Sequence, residues 1–221
     1  MNHPGLPGGN YTNLKPLTMI KDRYHPLWLW FYSSYFRVLQ KIHFRKISVI
    51  TEDDFREKQS VLLLQNHFSL YDGYWSMYLC NKVFRRRFHV MMLEEELARR
   101  MFLTRCGVFS VRKNSRELLE SLTYASELLE DPMNVVTIYP SGEIISHHQQ
   151  NFEFQKGFIR IAGNQTNPSL IALAVVLVDH FSQARPEIRI YLKKYSGKRT
   201  VEAIEQAYHL FYQSCITKQT E

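Results

Sequence analysis

The chain has 221 residues, of which 45% are hydrophobic, and it carries a formal net charge of +7. This length and apolar content are typical of one globular domain with a sizeable core, with room for a short appendage. The cysteines, which are odd in number and widely spaced, are Cys80, Cys106 and Cys215, and they form no Cys-x-x-Cys pair. This pattern excludes a disulfide framework and a cysteine-based zinc site, and it fits a reducing cytosol.

The first 25 residues are interpreted as a flexible arm. Residues 1–20 are rich in glycine, proline and asparagine and have no apolar core of the kind found in a signal peptide. The arm therefore precedes the folded part of the chain in the predicted domain organisation.

Residues 26–45 are predicted to form an amphipathic helix at a membrane surface. Aromatic and aliphatic side chains recur at helical spacing: Trp28, Phe31, Tyr32, Tyr35, Leu39 and Ile42. The apolar stretch is too short for the roughly 20 residues that span a bilayer. Aromatic density with basic flanks favours the lipid–water interface. The alternative is an ordinary helix packed on the core.

Residues 46–221 are predicted to form a single α/β domain, because strand and helix signals alternate. The sheet is expected to be mixed but largely parallel and flanked by helices, with 171–178 as a central strand and 188–192 as an edge strand. The predicted strands are 47–50, 61–64, 89–93, 109–111, 134–139, 171–178 and 188–192, and the predicted helices are 74–84, 94–102, 115–130, 157–162 and 201–217.

The segment Gln-Asn-His-Phe-Ser-Leu-Tyr-Asp-Gly at residues 65–73 follows the apolar run 61–64. It places His67 and Asp72 at the end of a buried strand, where chemistry in α/β proteins is usually located. We interpret His67 as a general base near neutral pH and Asp72 as the group that orients its ring. Asn66 is expected to brace this turn by hydrogen-bonding its backbone, and it is also a candidate substrate-binding residue. The alternative is that both residues only cap their elements.

The net charge of +7 favours anionic partners. Two basic clusters are candidates for contact with anionic lipid or an acyl carrier: Lys82, Arg85, Arg86 and Arg87, and then Arg99, Arg100 and Arg105. A solvated surface is the alternative. No nucleic-acid-binding motif accompanies them, so no nucleic-acid partner is expected.

Three further segments follow in order: Gly-Val-Phe-Ser-Val-Arg at 107–112, Tyr-Pro-Ser-Gly-Glu at 139–143 and Phe-Gln-Lys-Gly at 154–157. Together with residues 65–73, they resemble the PlsC-like lysophospholipid and glycerolipid acyltransferase family over about residues 46–195. The signature of that family is an Asn-His-x4-Asp block, a Gly-x-x-Phe-x-x-Arg block, a Phe-Pro-Glu-Gly-Thr-Arg block and a later Lys-Gly segment.

The resemblance implies roles for residues in these blocks. Arg112 would help to bind the phosphate of the acceptor, because guanidinium donates in a fork to paired oxygens. Lys156 would face the thioester oxygen or the phosphates of the donor. Gly142 permits close backbone approach at an oxyanion, and Glu143 would bind a hydroxyl of the acceptor. In each case an ordinary surface or loop position is the alternative.

The third block departs from the family pattern. Ser141 stands where the family has glutamate, and Ile144 stands where it has arginine. The loss of that arginine puts a phosphorylated acceptor in doubt. The Pro-x-Gly-Glu form of this block, together with Gln-Ala-Arg-Pro-Glu-Ile at 183–188, looks like a side branch of the family that is associated with carotenoid or glycolipid acylation.

The resemblance implies an O-acyltransferase that moves a fatty acyl group from coenzyme A or acyl carrier protein to the hydroxyl of a lysophosphatidate-like lipid, at the cytoplasmic face of a membrane. The thioester is a co-substrate, and no cofactor is expected. No metal site is expected either, because the adjacent His147 and His148 lack partners at ligand spacing. The alternatives are an acyltransferase for a phosphate-free acceptor and a non-catalytic lipid-binding protein at the membrane surface.

Overall fold

The computed structural model describes residues 19–112, 116–149, 152–163 and 168–220. Within these ranges there are six α-helices and seven strands, together with short 3₁₀ and π turns. In chain order they are α1 Pro26–His43, β1 Lys46–Ile50, β2 Val61–Gln65, α2 Asp72–Leu79, β3 Arg87–Leu93, α3 Glu94–Ala98, β4 Val108–Val111, α4 Arg116–Leu128, β5 Asn134–Ile138, α5 Ile159–Gly163, β6 Leu170–Asp179, β7 Glu187–Tyr195 and α6 Val201–Thr220.

The strands form one sheet in the order β1-β7-β6-β2-β5-β3-β4. All neighbours are parallel except β6 and β7, which are antiparallel. Strand β2 lies between β6 and β5, and all five of its residues are buried. The predicted α/β fold with a largely parallel sheet is confirmed.

Helices cover both faces of the sheet, so the alternate residues of β2 enter two different cores. Leu62 and Leu64 pack with buried residues of α4, α5 and α6. Val61 and Leu63 pack with Leu29 of α1, residues of α2 and other buried side chains. This burial on both sides explains why the strand is a continuous apolar run.

The prediction of 188–192 as an edge strand is wrong. Strand β1 pairs in parallel with β7 from Lys46 opposite Glu187 to Ile50 opposite Tyr191, so β1 forms that edge of the sheet. Within 188–192 only Arg189 is not buried, and an alternating pattern gives no information about whether a further strand pairs alongside.

Two predicted helices are also shorter than expected. The prediction 74–84 divides into α2 and a π turn at Cys80–Phe84, which ends at Arg85 with a left-handed φ of 53°. The prediction 94–102 divides into α3 and a 3₁₀ turn at Met101–Cys106.

The flexible arm of the prediction does not extend to residues 19–25, which are hydrogen-bonded to the domain. The Ile20 N–H donates to Ser110 Oγ at 2.7 Å, and the Ser110 N–H donates to the Ile20 carbonyl at 2.8 Å. The Asp22 carboxylate lies 3.2 Å from His89 Nδ1 and accepts a hydrogen bond from the Tyr124 hydroxyl. Residues 1–18 of the arm lie outside the described residues.

Helix α1 packs one side on α2 and exposes the other. Phe36 stacks on Tyr74 with ring centroids 4.9 Å apart, and Leu29 is buried. The exposed apolar side chains are Leu27, Trp28, Trp30, Phe31, Tyr35, Val38 and Ile42. Among the described residues, no helix is both long enough and apolar enough to cross a membrane.

All three cysteines are buried with free thiols. Burial raises the pKa of Cys106 to about 11 and that of Cys215 to about 12, and it also raises the pKa of Cys80. The thiolate form is therefore scarce at neutral pH.

Candidate active site

The loop between β2 and α2 begins with Asn66, whose side chain extends the sheet. Its Nδ2 donates to the Val176 carbonyl at 2.9 Å, and its Oδ1 accepts from the Val176 N–H at 2.8 Å. Asn66 is buried. Its side-chain amide thus ties the strand end to β6, whereas the sequence predicts a brace within its own turn. These contacts give no support to the predicted role in substrate binding.

Asp72, the first residue of α2, is fully buried and points back into this loop. Its Oδ2 accepts hydrogen bonds from the backbone N–H of Phe68 at 2.6 Å and of Ser69 at 2.9 Å. Its Oδ1 accepts a bond of 3.2 Å from Ser69 Oγ. The loop therefore holds the carboxylate in a single orientation.

His67 Nδ1 lies 2.6 Å from Asp72 Oδ2. Because the carboxylate only accepts hydrogen bonds, Nδ1 carries the proton and Nε2 keeps its lone pair. The His67 side chain is 24% exposed, so the ring is reachable from solvent while its partner is not. The structure brings together the base and the orienting acid proposed from the sequence.

Tyr139 is a contact of His67 that the sequence analysis did not assign. The two rings stack with centroids 4.4 Å apart and planes inclined by 17°. The Tyr139 hydroxyl lies 3.2 Å from Ser76 Oγ, and burial raises its pKa. The sequence feature that could have identified Tyr139 as a site residue is its position in the third block, where the family has phenylalanine.

The third block, residues 139–144, is connected to the first block through the backbone. The Ile145 N–H donates to the His67 carbonyl at 2.7 Å. The turn needs Gly142, which has a left-handed φ of 68°, and a Cβ there would lie 3.0 Å from Gln155 Cγ. The Gln155 N–H in turn donates to the Pro140 carbonyl at 2.8 Å. Three of the four sequence blocks therefore meet at one place.

A cavity of about 730 Å³ lies beside this loop. His67 and Asp72 are not among its described lining residues, although Ser141, Glu143 and Ile145 of the adjacent loop are. Glu143 is exposed there, whereas Lys156 is exposed at the start of a 3₁₀ turn and does not line the cavity.

Arg112 is separated from the histidine–aspartate pair. It follows β4, three strands from β2 in the sheet, which corresponds to roughly 14 Å. Its guanidinium donates to Glu94 at 2.5 Å and to Glu117 at 3.3 Å. The hydrogen bond to Glu94 is the main reason that its pKa is raised.

His147 is a second residue whose position the sequence did not indicate. Its ring packs on Phe68 with centroids 4.0 Å apart, its Nδ1 is buried without a hydrogen bond, and burial lowers its pKa. Across the described ranges, no group of three histidine, cysteine or acidic residues is arranged to hold a metal ion.

The family model named Acyltransferase matches residues 46–176, which is more than half of the sequence. The chain belongs to the acyltransferase family. The matched region of this acyltransferase runs from β1 into β6 and contains His67, Asp72, Arg112 and the third block.

A similar solved structure is the 1-acyl-sn-glycerophosphate (LPA) acyltransferase PlsC from Thermotoga maritima. The TM-score is 0.56 at 13% sequence identity, and the match covers 86% of this acyltransferase and 79% of that chain. The likeness supports a common fold. A comparison with curated protein sequences found no match.

Proposed function

We propose that the protein is an O-acyltransferase that moves a fatty acyl group from a thioester, on coenzyme A or acyl carrier protein, to a lipid hydroxyl. The observation that carries the proposal is the 2.6 Å contact between His67 Nδ1 and Asp72, which leaves Nε2 as a base. Family membership supplies the acyl-transfer chemistry, and the basic charge and exposed aromatic helix argue for a lipid acceptor.

In the proposed reaction, His67 Nε2 removes the proton of the acceptor hydroxyl as its oxygen attacks the thioester carbonyl. The C–O bond forms, the C–S bond breaks, and the imidazolium returns the proton to the departing thiolate. Asp72 orients the ring and stabilises its positive charge. A base of this kind contributes about 10²–10⁴-fold to the rate.

The contacts of Ser69 argue for direct transfer without an acyl-enzyme. Its Oγ donates to Asp72 at 3.2 Å and accepts a bond of 3.1 Å from the Tyr71 N–H. Ser69 therefore belongs to the frame around Asp72. The three cysteine thiols are buried. Neither Ser69 nor a cysteine is therefore an accessible nucleophile.

The backbone turn at Gly142 is the candidate site for stabilising the oxyanion, because glycine lets the chain approach a substrate closely. In this proposal Glu143 contacts the acceptor and Lys156 the donor. Both residues are exposed, Glu143 within the third block and Lys156 in the 154–157 segment that contacts it, which supports these assignments.

We propose that α1 binds the surface of an anionic membrane as a peripheral anchor at the cytoplasmic face. Seven large apolar side chains of this helix are exposed. Of the two basic clusters, several members already have protein partners: Arg86 donates to backbone carbonyls, Arg87 pairs with Asp131, and Arg100 pairs with Glu96. Lys82 and Arg85 are the better candidates for lipid contact.

The decisive experiment replaces His67 with Ala and measures thioester consumption and acyl-lipid formation with purified protein. We expect a loss of about 10²–10⁴-fold in kcat with an unchanged circular dichroism spectrum. The matched control is His148→Ala, an exposed position in the nearby loop, which should retain activity. Full transfer by the His67 variant would refute the mechanism, and absence of any thioester turnover by the wild type would favour a non-catalytic lipid-binding protein.

A second candidate is an acyltransferase whose acceptor carries no phosphate. It is favoured by Ile144, which stands where the family has arginine, and by the engagement of Arg112 with Glu94 and Glu117. Strong inhibition by glycerol phosphate would support the phosphorylated acceptor, whereas no inhibition would support the second candidate.

A further inference from the structure

We infer that Tyr139 is a positioning residue for the proposed base: its ring fixes the plane of the His67 imidazole and, with it, the direction of the Nε2 lone pair. This role rests on the proposed acyl transfer, in which Nε2 takes the proton of the acceptor hydroxyl. Three features of the site support it: the stacking of the two rings, the strand ends from which they project and the hydrogen bonds that hold Tyr139.

The hydrogen bond to Asp72 alone does not fix the imidazole. It holds Nδ1 at 2.6 Å from the carboxylate and sets the tautomer. The torsion that turns a histidine ring about its Cβ–Cγ bond has broad minima, however, so one contact at Nδ1 leaves the ring able to tilt. The His67 side chain is also partly exposed, so its surroundings enclose it only in part. A second constraint is needed to give Nε2 one direction.

Tyr139 supplies that constraint from the face of the imidazole. The two rings lie nearly parallel, with centroids 4.4 Å apart and planes inclined by 17°. Stacking of this kind opposes tilting and leaves both nitrogens of His67 free for other contacts. The face of a phenol ring is electron-rich, so it also attracts the planar cation that forms when Nε2 takes a proton. Asp72 thus holds the edge of the imidazole and Tyr139 holds its face.

The backbone places Tyr139 beside the loop that carries His67. Tyr139 follows Ile138, the last residue of β5, and Ile138 pairs in parallel with Leu64 of β2. The carboxyl ends of parallel strands lie at the same edge of a sheet. The contact between the two rings is therefore a consequence of the pairing of β2 with β5.

The far end of the Tyr139 ring is anchored to α2. Its hydroxyl lies 3.2 Å from Ser76 Oγ, which is 3.0 Å from Gln65 Oε1 and 3.1 Å from the Asp72 carbonyl. Ser76 and Gln65 are fully buried. Burial raises the pKa of the Tyr139 hydroxyl, so it keeps its proton at neutral pH and can donate to Ser76. Helix α2 therefore carries both the acid at the edge of the imidazole and the anchor of the ring at its face.

Two substitutions distinguish a positioning role from ordinary packing. Tyr139→Phe keeps the planar face and removes the hydroxyl, whereas Tyr139→Leu keeps a large apolar side chain and removes the face. A residue that only fills space would tolerate both changes to a similar degree. A residue that orients the imidazole requires the face.

The first test observes the stack without any acyl transfer. The ring C–H signals of the histidines are recorded by NMR on the isotope-labelled full chain, and the spectrum of His67→Gln identifies those of His67. Protons over the face of an aromatic ring resonate upfield. We expect the His67 signals to lie upfield in the wild type and in Tyr139→Phe, and to move downfield in Tyr139→Leu. Identical positions in all three proteins would overturn the inference.

The second test measures kcat and KM with palmitoyl-coenzyme A as the donor and the better of two acceptors, lysophosphatidate or a monoacyl glycolipid. For Tyr139→Leu we expect kcat to fall about 10–100-fold at a similar KM, because misplacing a reacting group by about 1 Å costs up to about 10²-fold. Tyr139→Phe should keep kcat within about threefold of the wild type. A rise in KM alone for Tyr139→Leu, or equal kcat values for the two variants, would overturn the positioning role.

Tyr195→Leu is the matched control for loss of a partly buried tyrosine. Tyr195 ends β7, two strands from β2, and its hydroxyl donates to the Lys198 carbonyl at 2.6 Å. We expect kcat to stay close to that of the wild type, and circular dichroism and Tm to show how much each Tyr→Leu change destabilises the fold. An equal loss of kcat in Tyr195→Leu and Tyr139→Leu would indicate general destabilisation and overturn the positioning role.

The two tests together separate this role from the proposed function. Full transfer by Tyr139→Leu, with transfer lost in His67→Ala, would overturn the role of Tyr139 and leave the proposed function intact. Absence of transfer by the wild type would refute the enzyme and the positioning role together, and upfield His67 signals would then show that the stack exists without serving catalysis.

Discussion

The Asp72 carboxylate connects an imidazole to two backbone amides, so its charge serves both the chemistry and the local fold. Each of these three groups donates to the same oxygen, Oδ2. An asparagine with its amide nitrogen at that site cannot accept from them, and with its oxygen there it offers no negative charge to an imidazolium. The two roles can be measured separately.

For Asp72→Asn we expect kcat to fall by about 10³–10⁴-fold through loss of the correct imidazole tautomer. We also expect the free energy of unfolding to fall by about 1–3 kcal/mol, because buried amide donors lose a charged acceptor. Thioester turnover and urea denaturation measure the two effects. Asp54→Asn, at a largely exposed carboxylate, is the control. Retention of kcat within tenfold would contradict the assigned role of Asp72.

His147 provides a test of pH dependence. Burial lowers its pKa in the folded protein below the ordinary histidine value of 6.5. As the pH falls below about 6.5, the unfolded chain binds this proton before the folded chain does, so stability is lost. We expect His147→Gln to flatten the decline in Tm between pH 7 and pH 5. The exposed His148→Gln is the control, and an unchanged slope in the His147 variant would show that this ring does not titrate as inferred.

The histidine–aspartate pair was predictable because its members are five residues apart and follow a clear strand. Their other contacts were not predictable. Tyr139 and Ile145 reach His67 only after β2 and β5 have paired in parallel. Asn66 shows the same limit, since its partner Val176 is 110 residues away. Short motifs reveal residues that are close in the chain, whereas the shape of the site depends on strand order.

At the scale of elements, α1 has two unlike sides. Phe36 and Leu29 belong to the domain, whereas Leu27, Trp30 and Phe31 are more than half exposed. Deleting residues 1–45 would remove buried side chains, including that of Met19, together with the exposed ones. Such a deletion would confuse loss of folding with loss of membrane contact.

A surface variant avoids this problem. For Leu27→Ser/Trp30→Ser/Phe31→Ser we expect binding to phosphatidylserine-containing liposomes to fall at least about tenfold, because apolar area drives insertion at the interface. The Tm should stay close to that of the wild type. The control carries serine at three exposed apolar positions elsewhere: Leu119, Met133 and Leu210. Equal liposome sedimentation of both variants would exclude α1 as the anchor.

Most elements were predictable from hydrophobic periodicity, and the errors have physical causes. Strand β7 was placed at an edge because a strand pattern describes its two faces and not its neighbours; its partner β1 lies about 140 residues earlier. The helix prediction 94–102 missed the break after α3, where a 3₁₀ turn at Met101–Cys106 is capped by Gly107 just before β4 begins at Val108. A Cβ at Gly107 would lie 2.0 Å from the Phe88 carbonyl oxygen.

At the scale of the whole molecule, residues 19–25 join parts of the chain that are far apart. Asp22 is nearly inaccessible and contacts both His89 of β3 and Tyr124 of α4. Burial alone would raise the pKa of Asp22, but the close contact with His89 and the hydrogen bond from Tyr124 outweigh it, and the net shift is downward. The carboxylate therefore stabilises the attachment of this segment at neutral pH.

For Asp22→Ala we expect the free energy of unfolding to fall by about 3–5 kcal/mol, because the buried His89 and the partly buried Tyr124 lose their partner. Asp22 contacts β3, which is two strands away from β2 in the sheet, so kcat per folded molecule should be retained. Urea denaturation and thioester turnover, with Asp54→Ala as the control, measure both quantities. A change below about 0.5 kcal/mol would show that the segment is not an integral part of the domain.

The burial of all three cysteines has a practical consequence for enzymology. Thioester transfer liberates one free sulfhydryl group per turnover, and colorimetric disulfide reagents detect such groups continuously. Because Cys80, Cys106 and Cys215 are shielded and poorly ionised, the native polypeptide should contribute almost no background signal. Candidate acceptors can then be screened in real time on the unmodified sequence, without first substituting its cysteines.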